Sequence, residues 1–281
     1  MNAITRIATG AIAVAIVLAA IVYWAQDEVV YPNAAEGPMA RPPPPTAIQH
    51  WLRTPGGARV EAWLFLPEQA SASTPVPAAI FFHGNSDYIE NRLEYAEFYT
   101  SIGMACLLVE YRGYRRSTGT PGEAALTSDA LAFHDWLIRR SDIDPARVIA
   151  HGHSLGAGVA AQLAARRPLR GVILVSAFVS LPELFGHYWL PGFLARDTYD
   201  TAAALSRFQG PVLIAHGGAD GTVPPRHARR LAQIAAPAAV LALYPGVDHD
   251  VPWDWDAFAA DIRRFLDRAG VSSSPYPADV R

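Results

Sequence analysis

Five residues near the middle of the chain, Gly152-His153-Ser154-Leu155-Gly156, constrain the fold more than any other feature. They follow the apolar run Val148-Ile149-Ala150 and lead into an Ala-rich run over 155–166. A G-x-S-x-G between strand and helix puts the serine on a tight turn with its hydroxyl pointing outward. Side chains at the two glycine positions would crowd the neighbouring strand and helix. The rest of the chain agrees with that setting. Strand-like runs at 78–82, 104–110, 147–151, 171–175, 211–215 and 239–244 alternate with helical spacing at 91–102, 123–140, 155–166, 225–234 and 253–269. Ahead of them, 47–53 and 58–66 alternate apolar and polar residues around Pro55-Gly56-Gly57, the pattern of an antiparallel hairpin. Together these predict an α/β protein: a mostly parallel eight-stranded sheet with helices on both faces.

Composition narrows the chemistry. With 51% hydrophobic residues in 281, the chain has ample material for a core and is no disordered segment. A formal net charge of −3 gives no basic field, so no nucleic-acid partner is expected. All 23 basic residues are arginine. The lack of lysine removes Schiff bases, a P-loop lysine and a Ser-Lys dyad. Cys106 is the single cysteine, so neither an intramolecular disulfide nor a multi-cysteine zinc site can form. No metal and no cofactor is expected.

A serine hydroxyl needs a base within hydrogen-bond reach. Loops at the carboxyl ends of parallel strands converge on one edge of the sheet. Of the nine histidines, His249 lies in such a loop, directly after the last strand-like run, and is delivered to the edge that carries Ser154. His83 and His216 also end strands, but the glycine after each points to backbone work. The third member must be a carboxylate that orients the imidazole. Asp220 closes the run from Pro211 and gives the order Ser, Asp, His. Asp248 and Asp250 flank His249 and would have to fold back on its ring. The oxyanion of an attacked carbonyl needs backbone N–H donors. Leu155, after the serine, is one; Asn85, in the His83-Gly84-Asn85-Ser86 loop, is the first choice for the other.

These residues resemble the Bem46-like, ABHD13-type group of α/β-hydrolases, which includes membrane-anchored serine hydrolases. The carrying motifs are Phe82-His83-Gly84-Asn85, then Tyr111-Arg112-Gly113-Tyr114 with Ser117, Gly119, Pro121 and Glu123. Gly152 to Gly156, the stretch from His216-Gly217 to Asp220, and the loop of His249 complete them, and the resemblance covers roughly residues 21–270. It implies the α/β-hydrolase fold, a Ser154–His249–Asp220 triad and no metal. Two departures stand out. Arg115 replaces a usual glycine, so that Arg115-Arg116 would add positive charge near the leaving group. Ser86-Asp87 replaces small uncharged residues.

Residues 177–209 interrupt the strand–helix alternation where such a fold carries its cap. Phe185, Tyr188, Trp189, Leu190 and Phe193 in it are expected to line an apolar acyl pocket. At the other end, residues 7–25 are 19 uncharged residues, about 28 Å of helix and close to the bilayer core. They read as an uncleaved anchor, with a cleaved signal peptide and a secreted product as the alternative. Arg6 before the span orients the domain to the extracytoplasmic side. The expected division is an anchor at 1–26, a Pro-rich spacer at 27–46, the hydrolase domain at 47–270 and a flexible tail at 271–281. On that division a chain beginning near Thr46 would be soluble and active. The expected activity is cleavage of carboxylic esters or thioesters through an acyl-enzyme, on a small-molecule or lipid-like acyl substrate. A serine aminopeptidase-like amide hydrolase and a non-catalytic membrane-anchored binding module remain open. Oligomeric state leaves no signature in the sequence.

Overall fold

Alternation along strand β3 (Val76–Phe82) accounts for a sheet covered twice. Val76, Ala78, Ile80 and Phe82 belong to one apolar cluster, Ala79 and Phe81 to the other. The computed structural model describes residues 3–35, 41–250 and 255–271. Seven further strands join β3: β1 (Ile48–Arg53), β2 (Arg59–Phe65), β4 (Ala105–Val109), β5 (Ile143–His153), β6 (Gly171–Val175), β7 (Val212–Gly217) and β8 (Ala239–Tyr244). Their order is β1-β2-β4-β3-β5-β6-β7-β8. The pairs β1–β2 and β2–β4 are antiparallel and all later neighbours are parallel. This is the α/β-hydrolase fold.

One face of the sheet is covered by α2 (Leu93–Ser101) and α8 (Trp255–Ala269), through Tyr95, Phe98, Phe258, Ile262 and Phe265. Helices α3 (Glu123–Leu137), α4 (Leu155–Ala164) and α7 (Arg226–Ile234) cover the other, and α6 (Thr201–Leu205) packs on α4 and α7. Each fully buried Leu or Phe contributes roughly 1.5–3 kcal/mol of transfer free energy to holding these layers together. Element bounds differ from expectation by a few residues. The largest change is in β5, which starts at Ile143 because Ile143 pairs with Val76 ahead of a register shift. The cap holds α5 (Leu181–His187), a single 3₁₀ turn (Gly192–Leu194) and α6.

The N-terminal helix α1 (Ala3–Val30) is longer than the apolar run. Ile12, Val14, Ile16, Val17 and Leu18 are all exposed, and Ile12–Val30 is long and apolar enough to cross a membrane. Its last turn is different. Gln26 donates from Nε2 to the Leu194 carbonyl (3.1 Å) and accepts at Oε1 from the Arg196 N–H (2.8 Å). Asp27 pairs with Arg196. The Tyr31 hydroxyl, whose pKa burial pushes up, meets Asp197 Oδ2 at 2.5 Å and the Tyr199 hydroxyl at 2.9 Å. Residues read as spacer therefore already pack on the cap, ahead of the proline run. Positions 36–40 of that spacer, and 272–281 of the expected tail, lie outside the described residues; Val271 is buried.

Three buried histidines make the fold acid-sensitive. Burial, with the neighbouring His153, pushes His151 down to about 3. Burial, then Arg92 and His249, does the same to His153. His227 falls to about 4 through burial and nearby cations. Each stays neutral in the folded chain, whereas the unfolded chain takes up a proton below about pH 6.5. Their contribution is complete above that pH and is lost as pH falls toward 4 and 3. His83 has the opposite sign: burial lowers its pKa, but Glu110 outweighs this and raises it, so its contribution is lost as pH rises. Half-buried His50 is also lowered, by burial and Arg140, so four histidines stand against one and stability should fall on acidification by about 1.4 kcal/mol per pH unit for each net proton. Thermal unfolding followed from pH 7 to pH 4 tests this. A midpoint that stays level or rises over that range contradicts it.

Candidate active site

The turn between β5 and α4 carries Ser154 at φ +52°, ψ −114°, outside the regions that non-glycine residues favour. A residue held there costs on the order of 1–3 kcal/mol and persists because its surroundings fix it. The Ser154 N–H donates to the Val175 carbonyl (2.9 Å). A Cβ on Gly152 would sit 2.1 Å from the Gly156 carbonyl oxygen, and one on Gly156 would sit 2.1 Å from that of Phe82. Backbone meets backbone at both places, as expected from the motif.

His249 comes from the loop after β8, and its Nε2 lies 3.0 Å from Ser154 Oγ. Its Nδ1 lies 2.9 Å from Asp220 Oδ2. With Nδ1–H donating to the carboxylate, Nε2 is free to accept from the serine hydroxyl. Burial alone would raise the Asp220 carboxyl. Hydrogen bonds from His216, His249 and the Val223 N–H outweigh it and hold Asp220 well below the usual carboxylate range. Asp248 serves elsewhere: its Oδ1 accepts from the N–H groups of Gly221 (3.1 Å) and His249 (2.8 Å), bracing the loop. A contact missed in the sequence is Ser176, whose Oγ donates to the His249 carbonyl (2.8 Å). Its place directly after β6 was the available signal, since that is where loops reach the same sheet edge.

Three successive carbonyls of the loop after β3 are each held by a buried side chain. The Tyr111 hydroxyl donates to His83 O (2.6 Å), His83 Nδ1 lies 2.7 Å from Gly84 O, and the Tyr114 hydroxyl donates to Asn85 O (2.8 Å). His83 is in turn fixed by Glu110 at 2.7 Å. The backbone work expected of His83, and the tyrosines of Tyr111-Arg112-Gly113-Tyr114, thus meet in one task. The peptide planes before and after Asn85 cannot swing.

Asn85, Ser154, Leu155 and His249 line one cavity of about 940 Å³. Leu184, Phe185, Tyr188 and Leu190 of the cap line it too, joined by Phe178 and Leu181, which the sequence reading left out. Trp189 and Phe193 do not. They are 95% and 84% exposed, which corrects their expected place in the pocket. Trp189 follows the last turn of α5 at φ +60°, and this turns its ring outward. The opposite wall is the end of α1, a second feature missed in the sequence.

The first departure from the family pattern does not add charge as expected. Arg115 pairs with Glu90 (3.1 Å) and lies over the Tyr88 ring, while Arg116 Nε donates to Glu61 (3.0 Å). Neither arginine lines the cavity. Asp87 does, paired with Arg92 and bonded by Asn91 (3.1 Å).

Comparison with known proteins gives the same outline. The serine aminopeptidase S33 model of the Hydrolase_4 family matches residues 73–198. Uncharacterized protein Rv2307c of Mycobacterium tuberculosis is 36% identical over 255 residues, 88% of this chain and 90% of its own. Protein bem46 of Schizosaccharomyces pombe is 27% identical over 231 residues, covering 76% of each chain. The lysophosphatidylserine lipase ABHD12 of Xenopus tropicalis is 31% identical over 195 residues, 61% of this chain and 50% of that one. Among solved structures, propionate-bound esterase 2 of Thermogutta terrifontis superposes with a TM-score of 0.68 at 20% identity, over 84% of this chain and 99% of that one. At that identity the likeness is one of fold.

Proposed function

We propose, for a chain that belongs to the Bem46-like group of α/β-hydrolases, a serine hydrolase that cleaves carboxylic esters or thioesters bearing an apolar acyl chain. The observation that carries this is the run of contacts from Asp220 through His249 to Ser154, 2.9 and 3.0 Å, opening into an apolar cavity. Ser154 Oγ attacks the acyl carbon while His249 Nε2 takes its proton. Asp220 holds the imidazole in the tautomer that accepts there and stabilises the imidazolium. The N–H groups of Asn85 and Leu155 receive the oxyanion. The imidazolium then gives its proton to the departing alkoxide or thiolate, leaving acyl-Ser154. A water activated by His249 attacks that ester and frees the acid. A relative named as a lipase supports an acyl substrate. For the whole chain the reading is an uncleaved anchor with the domain outside the cytoplasm. Val22 and Ala25, which a cleavage near residue 26 would remove, line the cavity, and this supports retention of that helix.

A serine aminopeptidase is the second reading, favoured by the name of the matching family model. It requires a free carboxylate for the substrate ammonium. The two considered from the sequence are both engaged: Asp87 with Arg92, and Glu183 with Arg230 at 2.7 Å. Among the described residues that line the cavity, the other carboxylate is Asp250, which is exposed. A series of butyrate, octanoate and laurate esters beside aminoacyl amides separates the readings. Each added buried methylene contributes about 0.8 kcal/mol, so kcat/KM should rise about three- to fourfold per CH₂ until the pocket is filled. Flat dependence on acyl length with efficient amide cleavage would promote the peptidase.

A further inference from the structure

We infer that the end of the N-terminal helix is a working wall of the acyl pocket, and that the substrate is a bilayer lipid whose chain enters along that helix. The inference rests on the ester-hydrolase reading above and deepens it. Val22, Ala25, Gln26, Val29 and Val30 recur at helical spacing along one face of α1, and all five line the cavity that holds Ser154. Spacing of i, i+3, i+4, i+7 and i+8 is one continuous stripe. Ile21 extends it toward the apolar part of the helix.

Length places this stripe relative to a membrane. The bilayer core is about 30 Å, which takes about 20 residues at 1.5 Å each. The uncharged run at 7–25 fills that length. Tyr23 and Trp24 stand at its outer end, with Trp24 74% exposed, at the depth where amphipathic rings settle. The polar Gln26 and Asp27 come next and tie into the cap. The stripe therefore begins where hydrocarbon ends and runs on to Val29, whose carbonyl accepts from Asn85 Nδ2 (3.2 Å) in the loop beside Ser154. Of the two aromatic side chains that the pocket leaves out, Phe193 fits the same picture. Phe193 adjoins Leu194, the residue bonded to Gln26, so it stands beside the point where the helix leaves the domain. An acyl chain from the adjoining leaflet can slide along α1 into the cavity without crossing water. A water-borne ester would need none of this.

Full-length protein in phosphatidylcholine vesicles provides the test. A hexadecyl fluorophosphonate with a diazirine near the end of its tail is allowed to label Ser154 and is then irradiated. Crosslinks should map to residues 21–29. Crosslinks confined to Phe178–Leu190 of the cap would overturn the inference and leave the hydrolase reading intact. Failure to label Ser154 would take down both. A second measurement uses the substitution Ala25→Trp, which fills the α1 side of the cavity. The ratio of laurate to butyrate turnover should fall at least about tenfold, while Val17→Trp, off the stripe on the same helix, should leave the ratio unchanged. Equal ratios in the two variants would refute the wall.

Discussion

Ser154→Ala should abolish covalent labelling by a fluorophosphonate and lower kcat by at least about 10³-fold, with the fold intact. The magnitude follows from what the variant loses. Without the hydroxyl there is no acyl-enzyme, and what is left is binding plus the oxyanion donors acting on water. The fold should survive because the turn is held by backbone contacts that alanine keeps. The Ser154 N–H to Val175 bond and the close approach of Gly156 to Phe82 do not involve the hydroxyl. Alanine inherits the φ of +52° that serine already bears, so the strain is common to both proteins and stability should change little. Labelling and ester turnover are measured on protein whose unfolding transition has first been compared with the parent. Full turnover in Ser154→Ala would end the serine assignment.

Asp220→Asn should cost about 10²–10⁴ in kcat, because an amide facing Nδ1 favours the tautomer that puts a proton on Nε2. His249 then cannot accept from Ser154. Asp248→Asn should cost less than about tenfold, since the Asp248 carboxylate bonds backbone N–H groups and an amide oxygen can do the same. The comparison is informative because both carboxylates lie close to His249, and only one faces its ring. A reversed ranking of the two variants would move the acid role to Asp248.

The sheet and the three side chains at its edge were legible in the sequence for a topological reason. Parallel strands deliver their carboxyl-end loops to one place, so Ser154, Asp220 and His249 could be brought together by knowing only which runs are strands. Cap residues carry no such rule. Trp189 and Phe193 share the composition of Phe185 and Leu190, but their direction depends on how two short helical pieces turn, and a left-handed residue at Trp189 reverses the outcome. The helix wall was less legible still. Its bonds join residues 168 apart in the chain, and an apolar run long enough to span a membrane carries no mark of the few residues that also face a pocket. Arg115 and Arg116 failed for a related reason: charge in the sequence says nothing of partners such as Glu90 and Glu61, which neutralise it.

The approach of Gly152 and Gly156 to neighbouring backbone separates two things that a motif search treats as one. A methyl group at either position would press on main chain, and main chain has no rotamer with which to yield. The glycines are thus a condition for the strand and helix to dock at all, whether or not chemistry takes place at the turn. A descendant of this fold that traded its nucleophile for alanine and became a receptor would still need both. Counting the glycines of such a pentapeptide therefore identifies the architecture, and only the central residue, together with its distance to an imidazole, identifies an enzyme.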